Sequence, residues 1–321
     1  MNNPLTVLPD QATEVLISAT GLACQQINAF ASEVFRTRGG RVGSGMGTLL
    51  EALWGYYANR TLLEHGPFAG KIEIAWLANH EYNDFACLVT DQLWNARLKQ
   101  GELLRIEAKS MNMGADESKG HFDELYNKLG TWDLLLVLVW GWKPVDEYRV
   151  SPQIIDHFIG NAKAIALLRD QLHIARGGNF VDRNNCPDGC STENCRHDGE
   201  PLNASGKRER LWGPESLRPA KASYAANFGG LVRMLKTNSD SARAIIRKIR
   251  AENDDAHRYI SFIHRNYPNE EKNQYRQSEW AWLAKQLGLG TSGLSSDLIY
   301  SQIRAQPNYQ DALRSLFDPT P

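Results

Sequence analysis

Two ionisable residues stand where a buried strand asks for valine or leucine. In GELLRIEAKSM, residues 101–111, Leu103, Leu104, Ile106 and Ala108 are apolar, and Glu107 and Lys109 interrupt them two positions apart. Side chains alternate along a strand, so Glu107 and Lys109 share one face and Ile106 and Ala108 the other. An acid and a base buried together must pair or hold a metal. The acid-x-Lys spacing is common by itself. The chain has three, Glu107-Ala108-Lys109, Glu117-Ser118-Lys119 and Glu270-Glu271-Lys272, and only the first lies in an apolar run. A hairpin-like connection over 91–101 brings Asp84, in EYNDFACLV, beside Glu107. Two carboxylates on neighbouring strands form a hard-oxygen site suited to Mg²⁺. Lys109, on the same face, is placed to orient a water molecule or help remove its proton. That set suits metal-assisted phosphodiester hydrolysis, in which the metal polarises the phosphate and stabilises the leaving oxygen. The competing account is a buried salt bridge from Lys109 to Asp84 or Glu107. Asp91 replaces Asp84 if the preceding strand is shorter than its apolar run.

A second group of reactive side chains lies in NCPDGCSTENCRH, where Cys186, Cys190 and Cys195 are followed by His197. Thiolate and imidazole ligands in a short, turn-rich segment suit tetrahedral Zn²⁺ in a structural role. The spacing is not a common finger signature, so His197 is the ligand that a distant histidine or acid could replace. The alternative is a set of reduced thiols. Cys24 and Cys87 sit alone in apolar segments and read as core.

The elements that must position these groups follow from periodicity. Residues 10–36 and 48–63 have helical spacing, with a glycine-rich loop, RTRGGRVGSGMG, between them. That loop follows no strand and lacks a closing Lys-Ser/Thr, so it is not a phosphate loop. Residues 71–78, 85–89 and 102–111 read as strands. KGHFDELYNKL, 119–129, reads as a helix. WDLLLVLVWGW, 132–142, reads as a central strand buried on both faces. Residues 152–175 read as a helix. The expected fold is therefore α/β, a mixed sheet flanked by helices. After residue 214 the pattern is mainly helical. The expected organisation is a catalytic core over 1–176 and a zinc-stapled, mainly helical part over 177–321. Trp140, Trp142, Trp280 and Trp282 are expected in cores rather than as ligand stackers.

An Asn-Asp pair before one strand, IEAK in the next, then a helix and an apolar strand together resemble the PD-(D/E)xK nuclease superfamily. The layout is most similar to type II restriction endonucleases, and the resemblance covers about residues 43–175. It implies that Asp84 and Glu107 are Mg²⁺ ligands, with the Ala108 carbonyl a further one, and that Lys109 is the catalytic lysine. Glu51, in GTLLEALWGYY, stands where many such enzymes carry a glutamate on the helix before the sheet. Asn83 departs from the pattern, which has proline there. The resemblance also implies double-stranded DNA as substrate and a homodimer, since one such site cuts one strand and a two-fold pair suits a palindromic target.

Charge agrees with a polyanionic partner. The 321-residue chain has a net charge of −1, but 205–250 holds eleven basic residues against three acidic ones. Lys207, Arg208 and Arg210 precede a predicted helix on which Arg243, Arg247 and Arg250 share a face, with Ala244, Ile245 and Ile249 turned away. Neutralised phosphates release counterions, so such a stretch favours nucleic acid. No run approaches a membrane span, and MNNPLTVLPDQ has no basic start followed by an apolar core, which makes a cytoplasmic location the expectation. The reading is a Mg²⁺-dependent, sequence-specific endonuclease. Its rivals are a non-specific or activated defence or repair nuclease of the same superfamily, and a non-catalytic zinc-containing DNA-binding protein.

Overall fold

The structure is a computed structural model that describes residues 7–38, 45–77, 83–113, 120–186, 189–195, 197–202, 228–235 and 240–267, with short pieces at 284, 287–290, 302–303 and 305–307. The chain divides into two compact units, Met1–Leu167 and Leu168–Pro321. In the first, helices α1 (Pro9–Val34) and α2 (Met46–Glu64) precede strands β1 (Ile72–Trp76), β2 (Phe85–Val89), β3 (Glu102–Asn112), β4 (Leu134–Pro144) and β5 (Val150–Asn161). Helix α3 (Ala162–Ala175) follows. The division falls inside α3, whereas the sequence pattern placed it after residue 176.

The five strands form one mixed sheet in chain order. Every neighbouring pair is antiparallel except β3 and β4, which run parallel. Leu134 to Gly141 of β4 are all buried, which is why that run is continuously apolar. One face packs against the first two helices. Leu16 and Ile27 of α1 and Leu50, Trp54 and Ala58 of α2 share a core with Phe85, Ile106, Ala108 and Leu136. Leu104, Ile106 and Ala108 of β3 thus face the helices, and by alternation Glu107 and Lys109 face away.

Two asparagines attach helices to strand backbones. Asn59 of α2 donates to Ile74 O at 2.6 Å and accepts from Ile74 N, which covers the free edge of β1. Asn28 of α1 donates to Ile154 O at 2.8 Å and accepts from Ile154 N at 2.7 Å. Its site is a bulge, where the register shifts between Val139 and Trp140 and Ile155 is the extra residue.

Two elements differ from the sequence pattern. Within 119–129 the described residues 120–129 form no α-helix, only a 3-10 turn at Tyr126–Lys128. Phe122, Leu125 and Leu129 are buried, and their spacing imitates a helical stripe although the chain outside the 3-10 turn is irregular. Residues 152–161 belong to β5 rather than to a helix, because the Ile155 bulge breaks the alternation that marks a strand. Helix α3 starts only after Asn161, whose side chain caps it by accepting from Ala164 N at 2.9 Å.

The second unit holds a two-stranded ribbon, β6 (Asn179–Phe180) with β7 (Pro201–Leu202), and helices α4 (Asp240–Glu252) and α5 (Asp254–Asn266). Trp140 is buried and Trp142 half-buried, while Trp280 and Trp282 lie outside the described residues. No helix among the described residues is long and apolar enough to cross a membrane.

Gly55 shows how tightly α2 seats on β2. A Cβ there lies 2.7 Å from Phe85 Cε1. The Phe85 ring is fully buried between Trp54 at 5.3 Å and Trp76 at 4.4 Å, so it has little room to yield. Gly→Ala inside a helix normally gains about 1 kcal/mol. Gly55→Ala is expected to lose about 1–3 kcal/mol through overpacking, which a denaturant melt reads as a lower midpoint; a raised midpoint contradicts this packing.

Candidate functional site

Strand pairing assembles the first site. Phe85 pairs with Ile106 in the β2–β3 register, and Asp84 N donates to Ile106 O at 3.1 Å, so Asp84 stands beside Glu107. The Asp84 carboxylate accepts from Ala108 N at 2.8 Å, which locks it against β3. Lys109 Nζ lies 2.5 Å from Glu107 Oε1 and 3.8 Å from Asp84 Oδ2. The three side chains are 40%, 12% and 24% exposed for Asp84, Glu107 and Lys109. The site is therefore open at Asp84 and closed at Glu107.

Glu51, on the first turns of α2, is linked to β3 through Ser110. Its carboxylate is hydrogen-bonded by the Ser110 side chain and backbone, and it feels the charges of Lys109 and Asp84. Gly47 makes this approach possible, because a Cβ there overlaps Ser110 Oγ. Asp91 does not join the group. It is exposed at the opposite end of β2 and lies 3.8 Å from Lys71.

The electrostatics are those of crowded carboxylates sharing one cation, Lys109. Burial pushes Glu107 up to about 7, opposed by Lys109 and reinforced by Asp84 and Glu124. Burial likewise lifts Glu51 to about 7, against the pull of Ser110 and Lys109. Lys109 is itself raised, since Glu107, Asp84 and Glu51 together outweigh its desolvation. It is an ammonium at neutral pH. Nothing in the sequence pattern marks Ser110 or Glu124. Ser110 is simply the next residue after the E-x-K triplet, and Glu124 lies in the segment whose helical pattern misleads.

A divalent cation fits the carboxylates by charge. Desolvated acids that ionise reluctantly gain most from a nearby cation, and Lys109 fills that role in this arrangement. Asp84 and Glu107 supply two carboxylates, not a cage. A hard cation that keeps several waters needs only one or two carboxylates from a protein.

The second site lies in the second unit. The β6–β7 ribbon closes the base of a loop over 181–200, extended by Val181 N to Glu200 O at 2.8 Å and Gly199 N to Val181 O at 2.9 Å. At its tip, one ligand atom each from Cys186, Cys190, Cys195 and His197 lies within 4.8 Å of the others. His197 Nδ1 is 3.4 Å from Cys186 Sγ and 3.3 Å from Cys190 Sγ. A tetrahedral zinc ion with typical bond lengths sets that edge at about 3.6 Å, so the cluster has the dimensions of a metal site. His197 is buried and belongs to the set. The Cys190 thiol is held above its ordinary value by desolvation and by Cys186 and Cys195. Among the described residues this is the one group of three or more Cys, His, Asp or Glu whose ligand atoms converge in this way.

His173 of α3 anchors the ribbon. Its Nε2 lies 2.8 Å from Leu202 O and 3.1 Å from Asn179 O, and two carbonyl acceptors require that nitrogen to carry the proton. Gly178 leaves room for the ring, since a Cβ there overlaps it.

The proposed DNA-contacting residues are treated differently by the structure. Lys207, Arg208 and Arg210 lie outside the described residues. On α4 the buried stripe is Ala242, Ile246 and Ile249, not Ala244 and Ile245. That rotation leaves Arg247 exposed and puts Arg243 and Arg250 at the half-buried border, with Arg243 paired to Asp240. The three guanidinium groups do not form one open row. Compared with models of protein families, with curated proteins and with solved structures, the chain matches none.

The raised acids carry a signature in stability. Glu107 moves from an ordinary 4.5 to about 7 on folding, so the folded state holds its proton more tightly. Its contribution is full below pH 4.5 and is lost as pH rises toward 7. Glu107→Gln copies the protonated form. In metal-free buffer the variant is expected to match the parent near pH 5 and to melt higher at pH 8. A constant difference across that range rules out the buried, raised carboxyl.

Proposed function

We propose that the chain is a Mg²⁺-dependent endonuclease acting on double-stranded DNA, with a catalytic site at Asp84, Glu107, Lys109 and Glu51 in a restriction-endonuclease-like core. The single observation that carries this reading is the convergence of Asp84, Glu107 and Lys109 across the β2–β3 pair, open to solvent at Asp84. A purely structural salt bridge has no need of the second carboxylate, nor of Glu51 on a helix that reaches the same strand through Ser110.

In this reading Asp84 and Glu107 hold the cation, and the Ala108 carbonyl is a third oxygen on the same strand. The cation supplies Lewis-acid stabilisation of the phosphate and its leaving oxygen. The Ala108 N–H fixes the Asp84 carboxylate, so one ligand is oriented before anything binds. Lys109 carries its proton at neutral pH, which makes it a donor to a phosphate oxygen or to the attacking water rather than the base that deprotonates it. Glu51 bears on the same charges from α2.

The Cys186, Cys190, Cys195 and His197 cluster is read as a structural Zn²⁺ site that staples a loop with little core of its own. Zinc suits three thiolates and one imidazole with no open position. Sequence specificity of the restriction type, a homodimer and DNA contacts by the basic 205–250 stretch belong to the same proposal.

Two experiments test it. Long unmethylated phage DNA is digested with Mg²⁺ by the chain and by Lys109→Ala. Discrete bands that vanish in the variant are expected, with activity down at least about 100-fold for a lost transition-state donor. A smear removes sequence specificity, and intact DNA with the parent chain in Mg²⁺ or Mn²⁺ favours a binding protein without catalysis. For the second site, metal analysis of chelator-free protein is expected to give about one zinc per chain; absence of zinc with three freely titrating thiols overturns it.

A further inference from the structure

We propose that the loop joining β2 to β3, residues 90–101, is a second nucleic-acid contact, in which Leu93 and Leu98 wedge against bases while Arg97 and Lys99 hold the flanking phosphates. It rests on the nuclease reading and extends it to how the substrate is gripped.

Leu93 is 86% and Leu98 73% exposed. Burying a leucine is worth roughly 1.5–3 kcal/mol, and a soluble chain has no reason of stability to hold out two on one short loop. The loop is also held rigid. Glu102 and Arg105 form an ion pair with both side chains almost fully buried, at 2.8 Å. Arg105 also donates to Ala96 O at 2.5 Å, and Trp94 Nε1 donates to Glu102 at 3.0 Å. Asn95 and Gln100 exchange two backbone bonds of 3.1 Å. The Asn95 side chain accepts from Arg97 N at 3.1 Å and Leu98 N at 3.3 Å. At Gly101, φ is +79° and a Cβ lies 2.7 Å from Leu93 O, so only glycine closes the loop without displacing Leu93.

A buried ion pair is a weak source of stability compared with apolar packing. Here it fixes the backbone that displays two leucines outward. The charges around them point to the occupant. Arg97 and Lys99 are exposed and make no ion pair among the described residues, while Asp91, the one acid of the loop, is near Lys71. Apolar side chains flanked by cations suit a duplex, where aliphatic wedges enter base steps and cations neutralise phosphates. A second copy of the chain suits the loop less, because a two-fold contact at the leucines sets Arg97 and Lys99 against their own mates.

The spacing is right for one ligand to reach both places. The five residues of β2, Phe85–Val89, separate Asp84 from the loop. Six residue steps from Asp84 to Thr90 at about 3.3 Å each make about 20 Å, or about six base steps of 3.4 Å along a strand.

The test is fluorescence anisotropy of a 30-base-pair duplex with the full chain, Ca²⁺ replacing Mg²⁺, across a KCl series. Arg97→Gln with Lys99→Gln is expected to lower the slope of log affinity against log salt by about 1.8, from two phosphates. Leu93→Ser with Leu98→Ser is expected to weaken binding about tenfold, one unit of log affinity, with the slope unchanged. A parent chain that binds and cuts while both variants bind as it does overturns the loop and spares the nuclease reading. A leucine variant that turns a dimer into a monomer at unchanged DNA affinity also overturns it, in favour of self-association. A parent that neither binds nor cuts overturns both.

Discussion

The acidic face of the sheet and the core on its other side both depend on the register of β2 against β3. One residue of slip sends every side chain of a strand to the other face. With Phe85 opposite Ile106, Asp84 falls beside Glu107, and its carboxylate reaches Ala108 N. The same register puts Phe85, Ile106 and Ala108 into the core under α1 and α2. Chemistry and packing are therefore two faces of one pairing. The apolar face holds it firmly, and the charged face is the consequence. A bulge at Leu103 changes the register nearer the loop, but only beyond Cys87, so it leaves the acidic end of the hairpin intact.

That division explains what the sequence makes legible. FACLV and LLLVLVW are uninterrupted apolar runs, and β2 and β4 lie over them. The acid and base at 107 and 109 are conspicuous because the run around them is apolar. Elsewhere local pattern and burial disagree. Phe122, Leu125 and Leu129 have helical spacing, but each is buried from a mostly irregular chain. In β5 the Ile155 bulge shifts the alternation by one, and Asn28, more than a hundred residues earlier, satisfies the backbone beside it. No local window can show that. The sheet face, the three-residue convergence and the cysteine cluster are local in sequence or one hairpin apart; the Glu51–Ser110 link and the His173 anchor are long-range, and only packing reveals them.

The two candidate metal sites differ in kind. Asp84 and Glu107 offer hard oxygens, open to solvent at Asp84, of the kind a divalent cation takes while keeping its waters. Cys186, Cys190, Cys195 and His197 offer soft ligands in a four-membered set with no vacancy, at the tip of a loop closed by a two-residue ribbon. Under the proposed reading the first arrangement serves reaction, and the second holds a loop that has few apolar residues of its own.

Under the proposed reading Lys109 shares its carboxylates with a divalent cation rather than merely neutralising them. Electron paramagnetic resonance of Mn²⁺ titrated into the zinc-loaded chain, Asp84→Asn and Lys109→Met tests it directly. One saturable Mn²⁺ site is expected in the parent, lost in Asp84→Asn and tightened in Lys109→Met, where the competing ammonium is gone. No Mn²⁺ binding in the parent or in Lys109→Met, both folded, would contradict it and leave the three residues as a salt bridge.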